Sequence, residues 1–333
     1  MQQKVKLLDI AKLCGVSTAT VSLALNDSPL VNAETKRRIR EEADRLGYIP
    51  NEIARSLVKK RSGQIGVIVP DILNSFYATF VTELNRCVQE AGFSLTIQIS
   101  DNSPEREERI VDEMIRSRTE GVIIVPMNLG GAAAEHCKRL NTFGIPFLFA
   151  VDRYSQIDAP CVMSDCQGGM AEIVRHLIDH GYTDIAYLNG DASVYSLKTR
   201  YDGYRSTMEA AGLTPHVIDV DAVDYDGACR AIEKCLQAGQ LHRAFVCPND
   251  MMALGVINTL HRKEIPVPER CAVTGFDHVI FSEIASVPIT TVHQDIRKIA
   301  EESTRLLLRL IRGEEAEETE LRIPTTLVSK KSI

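Results

Sequence analysis

The chain has 333 residues, 44% of them apolar and 25% charged, a composition that fits a soluble globular protein of two or three domains and excludes disordered and fibrous classes. Its net charge of −7 argues at first against a nucleic-acid partner, but the first 62 residues carry 12 Lys or Arg against 7 Asp or Glu, so a small basic module precedes an acidic body. The opening MQQKVKLLDIAKLCG lacks the apolar run of a signal peptide, and no segment reaches the roughly 18 apolar residues of a membrane span, so the expectation is a cytoplasmic protein with no membrane partner.

Residues 5–48 read as three short helices, with the helical period carried by Leu8, Ala11 and Leu13, then Val21, Ala24 and Leu25, then Ile39, Ala43 and Leu46. Gly15 breaks the first helix, Ser17 is placed to cap the second, and Asn32 offers a cap to the third, which stops at Gly47. Helix, short Gly-containing turn, helix is the spacing of a helix-turn-helix.

The second of these helices, in GVSTATVSLALN, has no charged side chain. Val21, Leu25, Ala24 and Thr20 fall on the side that must pack; Ala19, Ser22, Leu23 and Asn26 fall on the other, with Thr18 at the flank. An outward face is usually just solvated, but a solvated face should not centre on Leu23 and Ala19. In a DNA major groove such side chains meet thymine methyls, while Thr and Ser hydroxyls and the Asn amide reach base edges. Phosphate contacts then fall to Lys4, Lys6, Lys36, Arg37, Arg38, Arg55, Lys59, Lys60 and Arg61 around it.

After Pro50 comes NEIARSLVKKRSG, a short amphipathic stretch with Ile53, Ala54 and Leu57 on one face. It is either a linker helix covering a little apolar surface, or, as two copies side by side, a minor-groove element in which Leu57 parts a base step. From Gln64 onward short apolar runs (IGVIVP, SLTIQIS, GVIIVP, PFLFAVD, then DIAYLNG, HRAFVCP, CAVTGFD) alternate with amphipathic helices. That texture predicts parallel strands buried on both faces, an α/β doubly wound body of two similar lobes. Ligands in such sheets bind beyond the carboxyl ends of the strands. The polar and aromatic residues there are Asp71, Phe76, Tyr77, Asp152, Arg200, Tyr225, Asn249, Asp277 and Gln294. Carboxylates and an Arg fork suit vicinal hydroxyls, and an aromatic ring suits a sugar face. Asp250 is assigned to capping the helix that follows it.

The head, LLDIAKLCGVSTATVSLALN with LGYIPNEIARSL, and the body motifs PDILNSFY, GVIIVP, RYDGYR, PNDMMALG, TGFD and TTVHQD together resemble the lactose/galactose-repressor (LacI/GalR) family of transcription regulators over nearly the whole length. The resemblance implies a helix-turn-helix domain over residues 1–49, a hinge helix and linker over 50–62, and an effector-binding and dimerisation domain over 63–333. The last would resemble periplasmic sugar-binding proteins, with one lobe over about 63–163 and 294–325 and the other over about 164–293 and 326–333. It implies a repressor that binds a palindromic double-stranded operator as a homodimer, controlled by a small molecule, a sugar or sugar derivative, in the cleft between lobes. It puts Thr18, Ala19 and Leu23 at base-reading positions, makes Leu57 the wedge and Ala54 a close-packing residue, and makes Arg200 and Asp277 the principal effector contacts; with the helix faces read above, the expected DNA-contact set is Lys6, Ser17, Thr18, Ala19, Thr20, Ser22, Leu23, Asn26, Asn51, Ala54, Arg55 and Leu57.

Enzyme chemistry finds no footing: there is no G-x-G-x-x-G after a strand, no phosphate-binding P-loop, no H-E-x-x-H and no G-x-S-x-G, and no cofactor is expected. His176 and His180, four apart, read as a helix end rather than a metal site. The nine cysteines include no C-x-x-C pair and read as reduced, buried thiols. Two other readings compete: a solute-binding protein serving a sugar transporter, and a regulator switched by a protein partner.

Overall fold

The computed structural model describes residues 5–48, 62–127, 134–315 and 318–333. The chain divides into two units, Met1–Ser62 and Gly63–Ile333, each described here by itself.

In the first unit α1 (Leu7–Cys14), α2 (Thr18–Leu25) and α3 (Ala33–Arg45) pack around Ile10, Ala11, Cys14, Val21, Ala24, Val31, Ile39 and Ala43. Gly15 ends α1 at φ +62°, a left-handed turn that spares a side chain its steric cost. Ser17 accepts the Thr20 N–H at 3.0 Å and Asn32 accepts the Thr35 N–H at 2.8 Å, each satisfying a helix-end donor as expected. The axes of α1 and α2 meet at a bend of 102°, the crossing of a helix-turn-helix. One expectation fails. Leu8 and Leu13 are 51% and 56% exposed, because the stripe that packs runs through Leu7, Ile10, Ala11 and Cys14, at i, i+3, i+4 and i+7.

The second unit begins with β1 (Gln64–Val69), α4 (Ser75–Glu90), β2 (Ser94–Ile99), α5 (Pro104–Arg116), β3 (Gly121–Ile124), α6 (Lys138–Thr142), β4 (Phe147–Ala150) and β5 (Cys161–Ser164). It continues with α7 (Cys166–Asp179), β6 (Ile185–Asn189), α8 (Tyr195–Ala210), β7 (His216–Asp219), α9 (Tyr225–Gln237), β8 (Ala244–Val246), α10 (Asp250–Arg262) and β9 (Ala272–Thr274). Last come α11 (Ile280–Ile284), β10 (Thr291–Gln294), α12 (Ile296–Ile311), β11 (Glu320–Ile323) and β12 (Thr325–Val328).

Two parallel sheets result, in the orders β11-β5-β4-β3-β1-β2 and β7-β6-β8-β9, with β10 and β12 as an antiparallel pair. The apolar runs recognised in the sequence are the strands buried on both faces, β1, β3, β4, β6, β8 and β9, together with the half-buried edge strand β2. Of the strands missing from that set, β7 (HVID) and β11 (ELRI) lack a continuous apolar run, whereas β5 (CVMS) is buried throughout but only four residues long. The chain passes between lobes three times, at β5 into α7, β10 into α12, and β11 into β12. At the first two crossings an aspartate caps the next helix: Asp165 accepts from Gly168 N–H and Asp295 from Lys298 N–H, both at 2.9 Å. Among the described residues no single helix is long and apolar enough to cross a membrane, and all nine cysteines are buried and unpaired.

Candidate functional site

On the first unit, α2 buries Val21 and Ala24 and leaves Thr18, Ala19 and Leu23 exposed, with Ser22 partly so. Leu23 is 38% exposed although it is a large apolar side chain. Ser17 and Thr20 are engaged with each other, hydroxyl to hydroxyl, at 2.9 Å. Asn26 is the residue after the helix, and its amide donates back to the Ser22 carbonyl at 2.8 Å, so its amide group is already in use.

The basic residues divide. Lys6 and Lys12 are exposed. Lys36 and Arg40 pair with Asp27 at 3.0 and 2.9 Å and hold its carboxyl below the usual range. Arg38 donates to the Cys14 carbonyl at 2.5 Å, closing the end of α1. Lys36 and Arg38, expected as phosphate contacts, are thus also engaged inside the unit. Asn51, Ala54, Arg55 and Leu57, with the phosphate candidates Lys4, Lys59, Lys60 and Arg61, lie outside the described residues.

In the second unit four of the expected ligand residues form one buried constellation. Arg200, from α8, donates to the Pro248 carbonyl at 2.5 Å and to Asp277 Oδ1 at 3.3 Å, and its guanidinium lies 4.2 Å over the Phe276 ring. Gln294, at the end of β10, donates to the same Asp277 oxygen at 2.6 Å. Burial pushes the Asp277 carboxyl up to about 6, against the pull of Arg200 and Gln294. Asp277 sits at φ +109° and His278 at φ +55°, two successive residues in a region that side chains avoid.

Asp152 completes the group from the other lobe. It accepts from Ser196 N–H at 3.1 Å and from the Ser196 hydroxyl at 2.5 Å, and so ties the end of β4 to the first turn of α8. Burial raises its carboxyl, while the Ser196 bonds and the nearby charge of Arg200 oppose this. The residue before it, Val151, has φ +71° in a turn closed by Asp152 N–H to the Ala150 carbonyl at 2.8 Å, a strained γ-turn. A small recess beside Asp152 is lined by Pro126, Met127, Tyr154, Gln156 and Tyr195.

Several expected residues stand apart. Asp71, half-buried, accepts the Asn74 N–H at 2.7 Å. Phe76 and Tyr77 pack edge to face at 5.8 Å inside the core of the first lobe, 3% and 7% exposed. The Tyr225 hydroxyl takes a hydrogen from Asn258 at 3.0 Å, directed along α10.

Asn249 and Asp250 exchange roles relative to expectation. Asn249 caps α10, accepting the Met252 N–H at 2.8 Å. Asp250, fully buried, instead accepts from Val279 N–H at 2.8 Å and the Thr291 hydroxyl at 2.5 Å, bracing the loop that carries Asp277. The reason is that a residue just inside a helix has its side chain directed away from the first N–H groups, which the preceding residue reaches.

Ser196, Pro248 and Phe276 escaped the sequence reading. Their contribution is a hydroxyl, a backbone carbonyl and a ring face; Pro248 and Phe276 lie inside the PNDMMALG and TGFD runs, but nothing in those runs marks a carbonyl or a ring for this use. Several buried polar atoms near strand ends have no hydrogen-bond partner: Arg200 Nε, Ser164 Oγ and Ser75 Oγ. The pair His176 and His180 makes a helix end, His180 Nδ1 lying 2.8 Å from the His176 carbonyl.

Comparison with known proteins gives a consistent answer. Residues 6–51 match the family model for bacterial regulatory proteins of the lacI family, and residues 174–333 match that for a periplasmic binding protein-like domain. Catabolite control protein A of Priestia megaterium is 28% identical over 98% of this chain and 99% of its own length. The HTH-type transcriptional repressor PurR of Pasteurella multocida is 28% identical over 98% and 97%. Among solved structures, the lac repressor dimer bound to operator and the anti-inducer ONPF superposes with a TM-score of 0.90, at 26% identity and 99% coverage of each chain. The complex of the transcriptional regulator CelR with cellobiose gives 0.73, at 25% identity, covering 98% of this chain and 99% of that one.

Proposed function

We propose that the chain is a DNA-binding transcriptional repressor of the LacI family with a ligand-binding effector body, a reading supported by both family matches and by the full-length relatives, and that its residues divide the work as follows. Thr18, Ala19, Ser22 and Leu23 read base edges and methyls of a palindromic operator, while Lys6 and the neighbouring cations hold phosphates. Leu57 parts a base step in the minor groove while the two copies of the segment pack closely through Ala54, with Asn51 and Arg55 also on DNA. The working unit is a homodimer, each half-site taken by one headpiece.

In the body, Arg200, Asp277, Gln294 and Asp152 hold a small polyhydroxylated molecule, a sugar or a derivative of one. The observation that carries this reading is the buried Arg200, Asp277 and Gln294 constellation, in which a cation and an amide converge on one carboxylate oxygen. It is a charged, strained arrangement that stability alone does not require. Because Asp152 and Arg200 come from different lobes, a ligand that engages both favours one arrangement of the lobes, and a coupling of about 1 to 3 kcal/mol suffices to shift operator affinity.

Two measurements test the proposal. Selection of bound sequences from a random DNA pool should return an inverted repeat, and a set without two-fold symmetry would overturn the dimer reading. Calorimetry of the full chain against a sugar panel should give saturable binding that Arg200→Ala abolishes. Absence of binding by any member would remove the sugar effector, and a protein-switched regulator would take its place.

A further inference from the structure

We propose that Asp184, His216 and His242 form a binding site for a divalent transition-metal ion, zinc in the first instance, at the end of the second lobe away from the ligand cleft. The three residues stand at the beginnings of three neighbouring parallel strands, in the order β7-β6-β8, whereas Pro248 and Asp277 follow the opposite ends of β8 and β9. One ligand atom from each of the three lies within 4.8 Å of the others. The Asp184 carboxylate is 2.6 Å from His242 Nδ1, and the imidazoles of His216 and His242 are 5.0 Å apart, inclined at 38°. Two imidazoles and one carboxylate are a zinc donor set that leaves room for water. They also suit nickel or copper, and do not suit calcium or magnesium, which prefer oxygen.

The backbone that carries His216 and the side chains of Asp184 and His242 are held in place before any ion arrives. The fully buried Tyr204 hydroxyl accepts the His216 N–H at 2.9 Å and lies 2.9 Å from the Ile185 carbonyl, pinning the start of β7 to β6. The His242 ring stands edge-on to Phe245 at 5.8 Å, and the second Asp184 oxygen accepts the Arg243 N–H at 3.2 Å. Donors on rigid strand ends lose little freedom on binding. His216 is exposed while Asp184 and His242 are half-buried, so an ion reaches the site without opening the core. Among the described residues a second such group, Glu107, His136 and Cys137, differs in being buried throughout, with the Tyr154 hydroxyl donating to its carboxylate at 3.0 Å, so an ion could reach it only by opening the core.

The test is calorimetric titration of chelator-stripped full-length protein with zinc chloride. One saturable site per chain is expected. It should weaken by about tenfold or more in His216→Gln and in His242→Gln, and persist in His176→Gln and Cys137→Ser. Cobalt in place of zinc should give visible ligand-field bands without a thiolate charge-transfer band, and zinc should raise the melting temperature of the wild type but not of His216→Gln. Circular dichroism of the metal-free variants checks that they fold; His216, being exposed, carries the test if His242→Gln does not. No saturable site, a site untouched by both histidine changes, or one lost in Cys137→Ser would overturn the proposal.

Discussion

The two units of the chain handle polarity in opposite ways. The headpiece turns apolar atoms outward, Leu23 and Ala19 on a helix without charge, and among its described residues the core cluster is made of apolar side chains alone. The body turns charge inward, burying Arg200 against Asp277. An outward methyl loses little until DNA supplies a partner, whereas an inward charge is costly unless every neighbour is in place. The headpiece should therefore tolerate changes at its reading face with altered preference, and the body should answer changes at its constellation with altered stability.

The sharpest way to break this contrast is Arg200→Ala. It leaves Asp277 buried without its cation and should lower the stability of the body by about 3 to 5 kcal/mol in denaturant unfolding. A loss below about 1 kcal/mol would mean that the pair is not desolvated as described.

Protonation probes the same carboxyl. With its pKa raised from 3.8 to about 6 in the folded state, Asp277 favours folding most below pH 3.8, and that contribution is lost as pH rises through 6. Wild-type stability relative to Asp277→Asn should therefore fall between pH 4 and 6.5; parallel melting curves for the two proteins would contradict it.

Capping devices are shared by both units and calibrate them. Ser17→Ala and Asn249→Ala should each cost about 1 kcal/mol, read from thermal unfolding of the full chain. A much larger loss at Asn249 would show that its amide bond to the Val223 carbonyl, at 3.3 Å, adds to the cap. The smallest stability effect belongs to Leu23→Arg, within about 0.5 kcal/mol of wild type, yet it should change the half-site recovered by DNA selection. An unchanged half-site would take Leu23 out of the reading face.

How much of this was readable beforehand follows from the distance in sequence over which each feature is built. The caps at Ser17 and Asn32, the break at Gly15 and the outward face of α2 depend on residues within one or two turns, so periodicity and local chemistry suffice. The packed side of α1 was misassigned because an eight-residue helix rich in Leu offers two overlapping stripes, and only the third helix decides between them. In the body the apolar strands were legible, but Ser196 meets Asp152 from 44 positions away and Arg200 meets Asp277 across 77. No local pattern announces such meetings. The exchange between Asn249 and Asp250 shows the limit most clearly: adjacent polar residues at a helix start are equivalent on paper, and one position along the helix separates a cap from a buried brace.

That brace has a neighbour with no side chain. A methyl group added at Gly275 would overlap Oδ1 of Asp250, so the loop leading to Asp277 is seated with a clearance of less than one carbon atom. Attempts to retune which molecule the body responds to should consequently leave Gly275 and Asp250 untouched and vary instead the rim of the recess beside Asp152, at Gln156 or Tyr195.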